Sequence, residues 1–307
     1  MSERPPKTDT QVLVALDGSP AAAAAWPVAV TVAAQLGAEP VVLHVPSSPL
    51  PLAQLRKRAL RHVAANLPLR RENAETAVAG VLRALADPRV ALVVLTTHGR
   101  EIEPGRGLGS VAESVIAWTS RPILIVRPEM AKKHPARKLH YLLVPLDGSP
   151  TTATVLRPAI DLACRLGASI DLLYVASPTH KPQVEAGSIG APRYVDQAQH
   201  EWPAWGAEVI ERLGGICAQI PPGLTVQMYL ASGEVGHAIV QFAVEHNADA
   251  IVLARRSHLE PGRAKVLRAV LAQTPVPVLL VGADVGGSRG DRKKTERGHA
   301  AIGQLEV

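Results

Sequence analysis

The stretch that decides the fold of this chain is LVALDGSP, residues 13–20, which returns 130 residues later as LVPLDGSP, residues 143–150. Seven of these eight positions are identical. Both copies also lead to a similar closing segment, PILIV at residues 122–126 and PVLLV at residues 277–281. A repeat with this spacing indicates that the chain contains two copies of one folding unit.

The repeat predicts a domain organisation. We expect homologous domains at 11–128 and 139–283, called here the first and second half, a basic linker at 129–138 and a disordered tail at 284–307. The segment from Arg127 to His140 has five basic residues against one acidic residue, a net charge of +4 out of +6 for the chain. A short basic segment is typically solvated, so the sequence disfavours contact with nucleic acid or an acidic membrane.

Composition narrows the class of protein. Of the 307 residues, 47% are apolar and 20% are charged, which is typical of a globular chain. Only 3% are aromatic, which argues against a stacking surface for single-stranded nucleic acid. Two cysteines, Cys164 and Cys217, cannot build a disulfide framework and favour a reducing compartment. No stretch has the length of a membrane span and the first residues lack an apolar leader, so we expect a cytoplasmic protein without a membrane partner.

The apolar runs predict the fold class. Runs such as 12–16 and 92–95 show no polar alternation, which is typical of strands buried on both faces. Helix-like stretches rich in Ala and Leu separate them. We therefore predict an α/β chain of two tandem Rossmann-like, HUP-type doubly wound domains, each a parallel five-stranded sheet flanked by helices. The second half has a clear strand at 224–230. The corresponding stretch 70–75 has no strand pattern, which leaves open that the first sheet lacks one edge strand.

The turn after the first strand is interpretable residue by residue. Asp17 and Gly18 form the turn, Ser19 is a good N-cap, and Pro20 suits the first helical position. Ligands of such sheets bind beyond the carboxyl ends of the strands, where Asp17 and its repeat Asp147 lie. Each Asp could hold a ribose hydroxyl or a metal, or it could bond the backbone of its own turn, and the sequence leaves both roles open.

A glycine-rich loop follows the fourth strand of the first half. It leads into Gly109-Ser110 and a predicted helix. Amides of such a loop, free N–H groups of a helix start and the Ser110 hydroxyl are the ingredients of a phosphate site. The loop is not a Walker loop, because it lacks the Lys. Ser110 and Glu113 also have the spacing of a capping box, and a self-capped helix needs no phosphate.

Together these motifs resemble the universal stress protein family. Nucleotide-binding members carry Gly-x2-Gly-x9-Gly-Ser/Thr after the fourth strand, and this chain has the same spacing from Thr96 through Gly99 to Gly109-Ser110, with Thr96 in place of the first Gly. The Asp-Gly-Ser turn, the loop and the closing strand occur in the family's order. The resemblance covers about 260 residues, across both halves.

The resemblance implies ATP as the ligand and leaves open whether Mg²⁺ accompanies it. Asp17 would lie near the adenosine or metal, and Ala15 and Val45 would flank the adenine. The ribose and phosphates would be held by Gly99, Gly109, Ser110 and Val111. Because the side chain of Thr96 fills space that Gly leaves open, we expect weakened rather than abolished binding.

The second half departs further from the family's pattern. Its loop is three residues shorter, and Ala264-Lys265 stands where the first half has Gly109-Ser110. The counterparts of the site would be Asp147, Val175 and Lys265. The basic side chains after its fourth strand could bind an anion directly, or they could form a solvated loop of a degenerate site. We expect one better site, in the first half.

The resemblance implies a stress-response sensor or regulator that binds ATP without turnover. No acid–base pair or activated nucleophile is visible in the sequence, although slow hydrolysis stays open. The alternative is a tandem scaffold that binds no nucleotide and acts by protein interaction. A related nucleotidyl-transfer or electron-transfer enzyme would need a His-x-Gly-His or flavin motif, and the chain has neither.

The resemblance also implies an assembly. Universal stress protein domains commonly pair through their last edge strands, here 122–126 and 277–281. The two halves of one chain could pair intramolecularly. A homodimer of chains and a regulatory protein partner are the further expectations.

Overall fold

The computed structural model describes most of both halves. The described residues are 9–46, 51–60, 62–64, 67–97, 108–129, 137–146, 155–176, 220–255 and 261–282. The predicted tail and most of the predicted linker lie outside these ranges.

Ten strands and eight helices are defined in this part of the chain. The strands are β1 (Gln11–Ala15), β2 (Glu39–His44), β3 (Leu69–Arg71), β4 (Val90–Thr96), β5 (Ile123–Val126), β6 (Tyr141–Leu146), β7 (Ser169–Ala176), β8 (Val226–Ser232), β9 (Ala250–Arg255) and β10 (Val278–Gly282). The helices are α1 (Pro20–Ala23), α2 (Ala25–Gln35), α3 (Leu52–Ala59), α4 (Ala77–Leu85), α5 (Ser110–Trp118), α6 (Leu156–Leu166), α7 (Val235–Glu245) and α8 (Pro261–Gln273). Within the described ranges, no helix combines the length and apolar character that crossing a membrane requires.

All ten strands join one sheet. Its order is β3-β2-β1-β4-β5-β10-β9-β6-β7-β8, so the two halves contribute five neighbouring strands each in the same order. Pairing is parallel within each half. The predicted α/β fold, with a largely parallel sheet flanked by helices, is confirmed.

Both faces of the sheet are covered, as the unbroken apolar strands predict. In β1, Val12 and Val14 pack into one core layer with α2 and α6, and Leu13 packs into the opposite layer with α4, α5, α7 and α8. All three side chains are fully buried. A strand between two apolar layers must be apolar at every position, which explains the missing alternation.

The first sheet has its edge strand, a point that the sequence left open, and so has the five strands that we predict. β3 pairs in parallel with β2 over three residues. Its Arg70 forms ion pairs of 2.9 Å with Glu72 and with Asp87, and hydrogen bonds from Arg89 and Arg70 hold the pKa of Asp87 well below its usual range. A three-residue strand with two arginines is too short to show an apolar pattern in the sequence.

The predicted turn after β1 is confirmed. Ser19 caps α1, since its hydroxyl oxygen accepts a hydrogen bond of 3.1 Å from the Ala22 N–H, and Pro20 occupies the first turn. Gly18 has φ of 83°, a left-handed conformation that strongly favours glycine. The equivalent turn of the second half, residues 147–150, lies outside the described residues.

The halves meet through their last strands, as expected. β5 and β10 pair antiparallel, with Leu124 opposite Leu279. The antiparallel pairing places the carboxyl ends of the strands of one half at the same edge of the sheet as the amino ends of the other. A helix of the first half that begins at its own carboxyl edge therefore ends near the carboxyl edge of the second half.

Side chains reinforce this junction on both faces. Arg127, after β5, donates through Nη1 to the carbonyl of Thr274 just after α8, at 3.2 Å. Arg255, at the end of β9, donates through Nη1 to the carbonyl of Ile116 in the last turn of α5, at 2.8 Å. On the opposite face, the Gln35 amide bonds to both the N–H and the carbonyl of Leu139. The ends of two helices are therefore held by arginines of the opposite half, where cations suit the helix dipole.

Candidate functional site

The strand order of the first half reverses where β1 and β4 lie side by side. β1 leads through α1 and α2 to β2 on one side, and β4 leads through α5 to β5 on the other. Such a switch point is the usual ligand position of an open α/β sheet, outside the carboxyl ends of the strands. Ala15 and Thr96 end the two strands here, and we call this place the first crevice.

Asp17 contributes to the backbone turn at the first crevice. Its Oδ1 accepts a hydrogen bond of 2.8 Å from the Ser19 N–H. The turn-forming role that the sequence left open is therefore present. The Asp17 side chain is half-buried at the carboxyl end of β1.

The start of α5 corrects one interpretation of the sequence. Gly109, not Ser110, is the N-cap, with φ of −74° and ψ of 154° and no side-chain hydrogen bond to the cap. Ser110 is already the first helical residue, so the Ser110–Glu113 capping box does not form. The Glu113 N–H instead makes the first helical bond, to the Gly109 carbonyl at 3.0 Å. The first N–H groups of α5 consequently have no acceptor within the helix.

Backbone hydrogen bonds fix the position of this helix start against the sheet. The Gly109 N–H donates to the Thr97 carbonyl at 2.7 Å, and the Thr97 N–H donates to the Val126 carbonyl at 3.0 Å. Thr97 is only 2% exposed. Thr96, which replaces the family's first Gly, is half-buried at the end of β4. Gly99 lies outside the described residues.

Three predicted ligand contacts share one apolar wall. Ala15, Val45 and Val111 are half-buried and pack against the same core layer, on the α4 and α5 face of the sheet. Gly80 of α4 lies directly against Val45, since a Cβ at Gly80 would come within 2.6 Å of a Val45 methyl group. The structure therefore places these residues on one face of the sheet.

His44 is a structural residue of this crevice that sequence reasoning missed. It is 3% exposed at the end of β2, and its Nδ1 lies 2.6 Å from the Leu16 carbonyl. A carbonyl only accepts hydrogen bonds, so Nδ1 carries the proton. The bond ties the end of β2 to the residue before Asp17. The histidine that follows the apolar run 40–43 is the sequence feature that could have indicated this buried residue.

The corresponding place in the second half is built differently. Asp147 lies outside the described residues, Val175 is 8% exposed in the core, and Lys265 is exposed on α8. Arg255 stands where the first half has Thr97 and is also 8% exposed. Burial lowers the pKa of its guanidinium.

Two of the second half's arginines belong to the junction between the halves. Arg255 bonds to Ile116, and Arg268 forms an ion pair with Glu113, both residues of α5. Arg255 is thus neither a solvated loop residue nor directed into a phosphate loop of its own half. Arg256 and the side chain of Arg263 lie outside the described part.

Known proteins similar to this chain agree with the fold. Residues 139–282 match the family model described as the universal stress protein family. A universal stress protein of Mycobacterium tuberculosis is 32% identical over 115 residues, which are 37% of this chain and 33% of that relative. A universal stress protein of Mycobacterium bovis matches to the same extent. The match thus spans about a third of the length of these curated relatives.

Solved structures extend the similarity to most of the chain. The universal stress protein of Archaeoglobus fulgidus superposes with a TM-score of 0.55 and 16% identity, covering 91% of this chain and 98% of that one. A functionally unknown protein of Pseudomonas aeruginosa gives 0.56 and 13%, covering 89% and 92%. At these identities the likeness concerns the fold. The family model of the universal stress proteins thus matches residues 139–282, the second half of the chain.

Proposed function

We propose that the chain is a tandem universal stress protein, with domains at 11–128 and 139–283, that binds ATP in the first crevice and acts as a cytoplasmic stress-response sensor or regulator. The repeat and the shared strand order of the halves support the extension to the first half. The observation that carries the ATP proposal is the start of α5. It is capped by the backbone of a glycine, its first N–H groups have no helical acceptor, and it is bonded to the end of β4.

The described residues of the first crevice fit an adenine nucleotide. Ala15 and Val45 offer half-buried apolar surface for the base, and Val111 continues it towards α5. The N–H groups of Ser110 and Val111, with Gly99, would hold the phosphates, since a helix start attracts anions. Asp17 would face the ribose or a Mg²⁺ that accompanies the phosphates.

We propose that ATP binding regulates the protein and that the protein does not turn ATP over. Asp17, the carboxylate at the carboxyl end of β1, already accepts a hydrogen bond from the turn that it forms. ATP occupancy would then be the signal that a protein partner recognises. A homodimer of chains would need a surface other than the last strands, because β5 and β10 pair with each other.

A scaffold that binds no nucleotide is the second candidate. Thr96 favours it, because this half-buried side chain lies where nucleotide-binding members have glycine. The second half favours it too, because Arg255 and Arg268 serve the junction. Nucleotide released by denaturing the purified protein separates the candidates. Adenine nucleotide recovered in proportion to protein supports the sensor, and its absence together with failure to bind added ATP supports the scaffold.

Thr96→Gly is expected to tighten ATP binding by about three- to ten-fold, because it removes a side chain from the end of β4 where the ligand approaches. Titration calorimetry of both proteins measures the change. Thr97→Ser is the matched control, as it keeps a hydroxyl at a buried neighbouring position. Equal affinities for Thr96→Gly and the unaltered protein would show that Thr96 does not crowd the ligand.

Gly80→Ala is expected to weaken ATP binding by roughly three-fold or more, because its Cβ would push Val45 from the apolar wall. Stability should also fall by about 1 kcal/mol, despite the better helix propensity of Ala. Gly236→Ala is the control, since its Cβ would meet Ala269 at the same distance of 2.6 Å in the second half. It should lose stability without losing ATP affinity. A Gly80→Ala protein with unaltered ATP affinity would place the base elsewhere.

A further inference from the structure

The second half places a cation beside the proposed phosphate site of the first half. Nη2 of Arg268, on α8, lies 3.5 Å from Oε1 of Glu113, on α5. The two residues occupy equivalent positions of the repeat, so the halves meet here with opposite charges. Glu113 is the acidic residue in the first turn of α5.

Glu113 has two opposite effects at this position. A carboxylate in the first turn favours the helix by interacting with the positive end of its dipole. The same charge lies within one turn of the N–H groups of Ser110 and Val111, where an anionic ligand would bind. An unpaired Glu113 would therefore oppose phosphate binding at the start of its own helix.

We propose that the cation of Arg268 offsets the negative charge of Glu113 at the first crevice, and so raises the affinity of the first half for a multiply charged phosphate ligand. This inference rests on the proposed ATP site. It gives the second half a function that does not require a ligand of its own. The affinity of one half is then determined partly by a residue of the other.

The exposure of the ion pair limits how much Arg268 can change the affinity for ATP. The side chains are 59% and 38% exposed for Arg268 and Glu113, so water and salt screen their charges. One unit charge about 7 Å from another in water changes an equilibrium about three-fold. The effect should grow with the number of charges on the ligand and vanish for an uncharged nucleoside.

A double-mutant cycle tests the proposal in the full chain, with Arg268→Ala, Glu113→Gln and the double variant titrated with ATP. Arg268→Ala should weaken ATP binding about three-fold or more at low ionic strength. Glu113→Gln should bind ATP at least as tightly as the unaltered protein. The double variant should bind ATP about as tightly as the unaltered protein, because the two charges act on the ligand additively and their losses offset each other. Arg268→Lys should restore most of the affinity.

Further measurements separate charge from structure. High ionic strength should remove the loss in Arg268→Ala, and adenosine affinity should be the same in all variants. Arg157→Ala removes an equally exposed arginine whose ion pair with Asp161 lies within α6, and it should leave ATP affinity unchanged.

Three results would overturn the inference. A loss of ATP affinity in Arg268→Ala that persists at high ionic strength would mean a structural effect rather than a charge effect. An equal loss of adenosine binding would exclude a charge effect. An Arg268→Ala protein that binds ATP normally would show that the charge of Arg268 has no effect at the ligand. If the unaltered chain binds no ATP, the proposed function itself fails, and the inference fails with it.

Discussion

Gly109→Asp is expected to reduce ATP affinity more than about ten-fold while leaving the fold at least as stable. The backbone of Gly109, with φ of −74° and ψ of 154°, is one that Asp adopts without strain and that N-caps typically have. The new carboxylate would accept hydrogen bonds from the N–H groups at the start of α5, which we propose bind the phosphates. Its negative charge would also repel the ligand. As a better cap than Gly, it should raise stability by a few tenths of a kcal/mol.

Opposite signs for binding and stability make this variant informative. A loss of ATP binding through misfolding would lower the melting temperature. We expect the melting temperature of Gly109→Asp to equal or exceed that of the unaltered protein. Gly109→Asn separates the two causes, because it caps the helix without a charge and should lose less affinity than Gly109→Asp. A Gly109→Asp protein that is stable and binds ATP normally would show that the start of α5 is not the phosphate site.

Arg255→Ala is expected to destabilise the chain by about 2 kcal/mol, measured by urea unfolding. The variant removes a charged donor from the Ile116 carbonyl and leaves a cavity beside Gly282, because Nη2 of Arg255 lies 3.3 Å from the position of a Gly282 Cβ. Because the variant no longer buries a guanidinium, it avoids the desolvation cost of that charge, which offsets part of the loss.

The Arg255 prediction needs a control for the loss of any arginine. Arg165→Ala removes an exposed arginine from α6 and should change stability by less than about 0.5 kcal/mol. If Arg255→Ala unfolds at the same urea concentration as Arg165→Ala, the arginine does not hold the two halves together. ATP affinity measured on the same samples reports whether a looser junction is felt at the first crevice.

The repeat and the local turn chemistry made much of the fold predictable. The apolar runs predicted strands covered on both faces, and the DGSP segment predicted the turn and the cap at Ser19. The family resemblance implied that the closing strands pair, and the structure shows that β5 and β10 do so in the antiparallel direction. Each of these features depends on residues close together in the sequence, or on a repeat that the sequence displays. The position of Ala15, Val45 and Val111 on one face follows from the same strand and helix order.

Other features depend on contacts between distant segments. Which residue caps α5 is decided by the bond from Gly109 to Thr97, so the Ser110–Glu113 spacing alone was misleading. β3 is a short strand whose Arg70 pairs with Asp87, 17 residues away. The burial of Arg255 and the pairing of Arg268 arise only when the halves meet. The sequence alone gives no sign that these two arginines contact the other half of the chain.

Titration calorimetry of the full chain with ATP tests the central claim most directly. We expect saturable binding of one ATP per chain, greatly weakened in Gly109→Asp and unchanged in Arg157→Ala. Two equivalent sites would contradict the assignment of a single competent crevice. No binding of ATP, ADP or AMP by the unaltered protein would contradict the nucleotide sensor and leave the interaction scaffold.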